Sequence, residues 1–200
     1  MGHDEITTQK ADFIEPTRWA HHSKYQFIDY RVARFRVSQG LFRMLLLLTG
    51  LSTYLVLLVH ELGHCWLARW YQVKVLTVAI GVGPRLLTRC DHHGTQWHLR
   101  LFPFGAQCGL ADGPCYGPRS LSRKGLRQQI VIHSAGPVFS LLFGGVCCAV
   151  SWSELNLYPL FLAGGLSCCI GFYNLLPIPP RDGSHIFRLL LEAFTNKFRT

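Results

Sequence analysis

The sequence predicts an integral membrane protein, mainly α-helical, with three core transmembrane helices and a small membrane-associated β-sheet between the first and second. Three observations predict it. Only 16% of the 200 residues are charged, against about 25% in a soluble globular chain. The apolar residues gather into uncharged runs, Met44–Val59 (16 residues), Ile130–Trp152 (23) and Leu157–Leu176 (20). Between the first two runs the composition turns β-branched, with Gly and Pro punctuation.

Residues 1–40 form a polar, basic tail without a strong period, in which Tyr25–Val37 mixes aromatics with Arg31, Arg34 and Arg36 as an interfacial segment does. About 20 helical residues cross about 30 Å of hydrocarbon. The first run reaches that length if its helix spans 41–70, with Arg43 snorkelling to the headgroups. It is a poor signal peptide, because about 40 mixed residues precede it and no small-residue cleavage site follows. The β region covers 73–107: Val73–Ile80 is β-branched, Gly81-Val82-Gly83-Pro84 is a turn, and Gln96–Leu101 alternates polar residues with Trp97, Leu99 and Leu101. Gly113–Lys124 reads as a loop. The second and third spans are 130–152 and 157–176, the core ends near 195, and 196–200 form a short tail.

The net charge of +9 is scattered, with no basic helix or nucleic-acid-binding motif, so it fits anionic lipid headgroups and excludes nucleic acid. Of eight cysteines, Cys147, Cys148, Cys168 and Cys169 lie in spans, where a thiol is a small apolar packing group. Cys108 and Cys115 lack the paired spacing of a zinc knuckle.

The sharpest local signal is His60-Glu61-Leu62-Gly63-His64, an H-E-x-x-H pattern. Residues four apart on a helix share one face, so two imidazoles can grip one Zn²⁺ while the carboxylate between them points at the metal's water. Zinc brings that water's pKa towards about 7, and Glu61 can take its proton and pass it to a leaving amine, which is peptide hydrolysis. A Glu deep in an apolar helix costs about 2.5 to 3.5 kcal/mol on insertion scales, so its presence there points to function.

A catalytic zinc needs a third protein ligand and an open position. His60 lies sixteen residues past Met44, about 24 Å along the helix, which places it near the membrane face opposite the N-terminus. The third span returns to that face, and the prolines at 177, 179 and 180 end helix there and turn the chain back, delivering Asp182 to the correct side. His133, at the start of the second span, and His185 compete for the same role. His92, His93 and His98 fall in or beside a hairpin turn as solvated or headgroup-facing residues, and Asp91 and Asp112 as loop residues.

At these residues, over about 42–190, the chain resembles the site-2 protease family of intramembrane zinc metalloproteases. Four segments carry the resemblance in order. His60–His64 is followed by Ala79-Ile80-Gly81-Val82-Gly83-Pro84, similar to the family's Gly-x-Gly-Pro turn. Ser134-Ala135-Gly136-Pro137 is similar to the Ala-Gly-Pro that opens its second core span, and Asn174–Gly183 matches N-x-x-P-x-x-x-x-D-G. The resemblance implies His60, His64 and Asp182 as zinc ligands, Glu61 as catalytic base and Asn174 as a substrate contact. Ser140 stands where many members carry Asn, and Phe102-Pro103-Phe104-Gly105-Ala106 only approximates the usual Pro-Leu-Gly-Gly-Tyr, departures that bear on substrate handling.

Many members insert a PDZ domain between the first two spans, and the roughly 60 residues here leave no room for one. Substrate choice then rests on the core, the tail or a regulatory membrane partner. A transmembrane protein substrate is expected to unwind and pair with a sheet edge near Leu101–Gln107, beside Phe104 and Gly105. Thirteen Lys and Arg follow the first run against seven up to Arg43, which favours an active site near the cytoplasmic face of a multi-pass protein of a bacterial inner membrane. The rival reading is a non-catalytic zinc-binding membrane scaffold, which would not need Glu61. An ion transporter would spread its ligands over several spans.

Overall fold

The computed structural model describes the backbone of residues 17–153 and 158–197, and the side chains of 39–152 and 158–195. The elements are α1 (Thr17–Trp70), β1 (Val75–Cys90), β2 (Gln96–Leu110), two short 3-10 turns (Pro114–Arg119 and Leu121–Arg123), α2 (Leu126–Ser153), α3 (Tyr158–Leu175) and α4 (Asp182–Lys197). Three helical stretches, Gln39–Trp70, Leu126–Trp152 and Tyr158–Leu175, are long and apolar enough to cross a membrane. The described residues up to Leu45 belong to one unit, and those from Leu46 onward to a second, compact one.

Helix α1 begins at Thr17, ahead of the start near Leu41 that the apolar run suggests. Residues 1–16 of the tail, and the side chains of Tyr25–Val37, lie outside the described residues. The helix stops in a Schellman motif: Gln72 takes φ 58°, its N–H donates to Arg69 O at 2.9 Å, and Val73 N–H donates to Ala68 O at 2.8 Å. Ala68 and Val73 are both buried. That closure drives the chain from the helix end directly into the sheet.

The strands are long because each bends at glycine. Gly81 has φ 87°, and a Cβ there would meet the Phe102 carbonyl oxygen at 2.5 Å, so glycine alone fits the bend. Val78 consequently pairs with Cys108 on one side and Trp97 on the other, and 96–100 pairs in turn with 85–90. Four segments lie side by side in the order 106–110, 75–82, 96–100, 85–90. A bulge between Val75 and Thr77 shifts the inward positions from Val73 and Val75 to Val78 and Ile80. These four side chains pack on Leu57, Cys65 and Ala68 of α1 and Ile132 of α2. The second strand runs to Leu110, three residues beyond the expected region, and 3-10 turns occupy the expected loop.

Helices α2 and α3 meet through small residues. A Cβ on Gly144 would reach Gly164 O at 2.8 Å, and one on Gly164 would reach Cys148 Sγ at 2.8 Å. Ser167 Oγ donates across the seam to Ser140 O at 2.8 Å. All eight cysteines are free thiols, and Cys147, Cys148 and Cys168 fill this seam as packing groups. After α3 the chain turns on itself, the Arg181 guanidinium covers the Tyr173 ring at 3.7 Å, and α4 starts at Asp182. Its amphipathic pattern, with Leu189 buried and Phe187, Leu190, Leu191 and Phe194 exposed, is a helix that the sequence reading did not anticipate.

Candidate metal centre

Helix α1 brings His60, Glu61 and His64 to 4, 4 and 6% exposure. It can do so because Gly63 has no side chain. A Cβ there would meet Ala135 O at 2.7 Å, so this glycine lets α1 settle against α2. The imidazoles are then held from behind by α2: His64 Nδ1 lies 2.9 Å from the Ile132 carbonyl oxygen and His60 Nδ1 lies 2.9 Å from Ser140 Oγ.

A carbonyl only accepts, so His64 carries its proton on Nδ1 and presents the Nε2 lone pair forwards. The same tautomer in His60 makes Nδ1–H the donor to Ser140. Both Nε2 atoms face Asp182 Oδ2, at 3.2 Å from His60 and 3.1 Å from His64.

Three lone-pair donors directed at one point repel each other unless a cation lies between them. His60, His64 and Asp182 each offer one ligand atom, all within 4.8 Å of one another. Spacings of 3.1 and 3.2 Å match the edge of a tetrahedron with centre-to-ligand distances of about 2 Å, the value for zinc with nitrogen and oxygen donors. The donor set therefore fits Zn²⁺. Two further features fit as well. Glu61 Oε2 is buried without a hydrogen-bond partner among the described residues, and Gly136 abuts the cradle so closely that a Cβ there would run into His60 Nε2 and His64 Nε2.

Asp182 reaches this point because Gly183 lets the start of α4 press on the end of α3. A side chain at 183 would collide with the Leu175 and Leu176 carbonyls. His133 and His185 line the same cavity of about 540 Å³ but stack on each other, centroids 4.8 Å apart and 5° from parallel, outside the three-atom cluster. Asn174, Phe104 and Gly105 also line it. Asn174 Nδ2 donates to Ile170 O at 3.0 Å, Phe104 is 69% exposed, and Gly105 takes φ 79°.

Ser140, which the sequence associates with substrate handling, instead orients His60. The Ile132 carbonyl and Gly136 carry no chemical signature in a sequence, although the Ala-Gly-Pro segment marks the place. His98 corrects the reading of a solvated histidine: it is 6% exposed and bonded to Thr88 Oγ1 at 3.1 Å. Burial, then Arg85 and Arg100, hold its pKa below the usual histidine range. Asp91 is a loop residue, but a heavily bonded one.

Helices long and apolar enough to cross a membrane, a buried His-Glu-x-x-His face and a carboxylate from a following turn form a candidate metal centre of the kind metallopeptidases use. The model of peptidase family M50 matches residues 49–156 and 152–200, and the chain belongs to that family. It is 34% identical over 111 residues to protease RseP of Yersinia pestis, an alignment covering 50% of this chain and 25% of that protein. It is also 34% identical over 91 residues to a putative zinc metalloprotease of Vibrio cholerae, covering 42% of this chain and 20% of the relative. The chain thus spans a quarter or less of the length of these relatives. Among solved structures it is similar to the site-2 protease from Methanocaldococcus jannaschii, with 26% identity, coverage of 72% of this chain and 53% of that one, and a TM-score of 0.49.

Proposed function

We propose that this chain is a zinc-dependent intramembrane endopeptidase that hydrolyses peptide bonds of membrane-spanning proteins. The observation that carries the reading is the convergence of His60 Nε2, His64 Nε2 and Asp182 Oδ2 beside a buried Glu61 oxygen with no partner. His60, His64 and Asp182 would hold the metal. Zinc supplies Lewis acidity there and makes a water easier to deprotonate.

Glu61 Oε2, already stripped of solvent and of protein partners, takes the proton from the attacking water. It then delivers that proton to the amide nitrogen as the C–N bond breaks, so one water becomes a carboxyl group on one fragment and an amine on the other. The Ile132 carbonyl keeps His64 in the tautomer that leaves Nε2 free, and the Ser140 hydroxyl holds the His60 ring by its Nδ1 edge.

A peptide bond inside a helix is shielded by its own backbone, so the substrate must extend before attack. Among the described residues, 106–110 pair on one side only, with 75–80, and Ala106, Gln107, Cys108 and Leu110 line the metal-site cavity. An unwound substrate segment adds to this edge by backbone pairing, with Phe104, Gly105 and Asn174 around it. Under the charge asymmetry of the sequence, the centre lies near the cytoplasmic face of a bacterial inner membrane.

The test is cleavage of a model transmembrane substrate by purified protein after chelation and after zinc is restored. Turnover should vanish and return in the wild type and be absent throughout in Glu61→Gln. Cleavage that ignores chelation would refute the reading.

A further inference from the structure

A second cavity, of about 560 Å³, lies at the C-terminal end of α1, away from the metal centre. Arg69, Lys74, His93 and Arg119 line it together with Gln72 and Thr95, and none of its lining residues is acidic. The carboxylate bonded to this lining, Asp91, is already committed. It accepts from the Arg69 guanidinium, from Trp97 Nε1 at 3.2 Å and from the backbone N–H groups of His93 and Thr95 at 2.9 Å each.

Asp91 therefore compensates Arg69 and fixes the 91–95 turn, leaving two charges over. Lys74 and Arg119 have no ion-pair partner among the described residues. Their backbones are tied by Lys74 N donating to Arg119 O at 3.1 Å, and both residues line the one cavity. Arg69 Nε adds a buried donor with no hydrogen-bond partner among the described residues. Two uncompensated cations and an orphaned guanidinium N–H define a site for an anion with several acceptor oxygens.

Depth narrows the ligand. Arg69 is the penultimate residue of the span Gln39–Trp70, and Trp66 and Trp70 beside it are 58 and 72% exposed, as aromatic residues at the headgroup level are. The next span begins at Leu126, a few residues beyond Arg119. The cavity thus opens where hydrocarbon gives way to phosphate.

We propose that this cavity binds a phosphate group, that of an anionic lipid headgroup at the membrane surface. The assignment rests on the membrane-spanning reading and not on catalysis. A phosphate held by Lys74 and Arg119 moors the first residues of β1 to the bilayer surface, and with them the sheet that borders the metal-site cavity.

The test compares wild type, Lys74→Gln/Arg119→Gln and the control pair Arg123→Gln/Arg127→Gln, whose residues are exposed and outside the cavity. Each is placed in phosphatidylcholine nanodiscs containing phosphatidylglycerol, and retained phosphatidylglycerol is measured by native mass spectrometry. Two cations at about 1 kcal/mol each correspond to about a 30-fold loss of affinity at about 1.4 kcal/mol per tenfold. That loss in the cavity pair, with the control pair close to wild type, is the expected result.

Equal losses in both pairs would show diffuse surface attraction, and no loss in the cavity pair would show that the cavity is not the site. Either overturns the proposal. Titration with inorganic phosphate in lipid-free detergent separates the two sources of phosphate. Saturable binding that the cavity pair abolishes, without any preference for phosphatidylglycerol in the nanodiscs, assigns the cavity to a soluble phosphate and overturns the lipid assignment. Lys74 and Arg119 are exposed, so the substitutions leave the fold intact, and matching thermal unfolding midpoints check this.

Discussion

Ser140→Ala tests whether α2 sets the geometry of the metal centre from behind. Ser140 is completely buried, and its hydroxyl is the partner of His60 Nδ1 at 2.9 Å. Removing it strands a buried N–H at a cost of about 1–3 kcal/mol. The imidazole can escape that cost by changing tautomer or rotating, and either movement withdraws Nε2 from Asp182. Loss of an outer partner of a metal-bound histidine typically lowers affinity about 10–100-fold, which is about 1.4–2.8 kcal/mol and agrees with the cost of the stranded donor. Zinc affinity by chelator competition is the assay. Ser167→Ala provides the contrast: its hydroxyl donates to the Ser140 backbone carbonyl and touches neither imidazole, so it should loosen the α2–α3 seam by about 1 kcal/mol and leave zinc affinity unchanged. A Ser140→Ala protein that binds zinc within twofold of wild type would refute the reasoning.

Gly136→Ala places a methyl against His60 Nε2 and His64 Nε2 and should abolish stoichiometric zinc while the protein still inserts and folds, measured by metal content and circular dichroism. Ala106→Pro removes an N–H from the edge segment and should cut cleavage at least tenfold with zinc content unchanged, and unaltered turnover would rule out strand addition there. For Asp91, burial raises the carboxyl, but hydrogen bonds from Thr95, Trp97 and Arg69 outweigh it and depress the pKa. Its contribution to stability is therefore present above the unfolded value of about 3.9 and lost as pH falls below it. Hydrogen exchange in the 91–95 turn should accelerate in that acid range in wild type, and Asp91→Asn should show faster exchange already at neutral pH.

The parts of this fold that were legible in the sequence are those written in periodicity and spacing. Uncharged runs mark the three apolar helices, and the four-residue interval from His60 to His64 by itself places two imidazoles on one helical face. The Asp182 turn was harder, because nothing local in Pro177–Asp182 states which face the carboxylate meets, and His133 and His185 stood as rivals on the same side. What the sequence hid depends on tertiary placement. Ser140 and the Ile132 carbonyl orient the histidines only because Gly63 lets α1 sink against α2. Gly81 folds one apparent hairpin into four adjacent segments because Phe102 crosses it at contact distance. Helix α4 escaped notice because its apolar residues, mostly exposed in the structure, follow a proline-rich turn and read as a tail.

The most direct test of the central claim is zinc content and cleavage measured on the same purified samples of wild type, Glu61→Gln and Asp182→Ala. The wild type should carry one zinc and turn over substrate, Glu61→Gln should keep zinc without turnover, and Asp182→Ala should have neither. If Glu61→Gln cleaves as well as the wild type, the buried carboxylate is not the base, and the centre is a zinc scaffold rather than a protease.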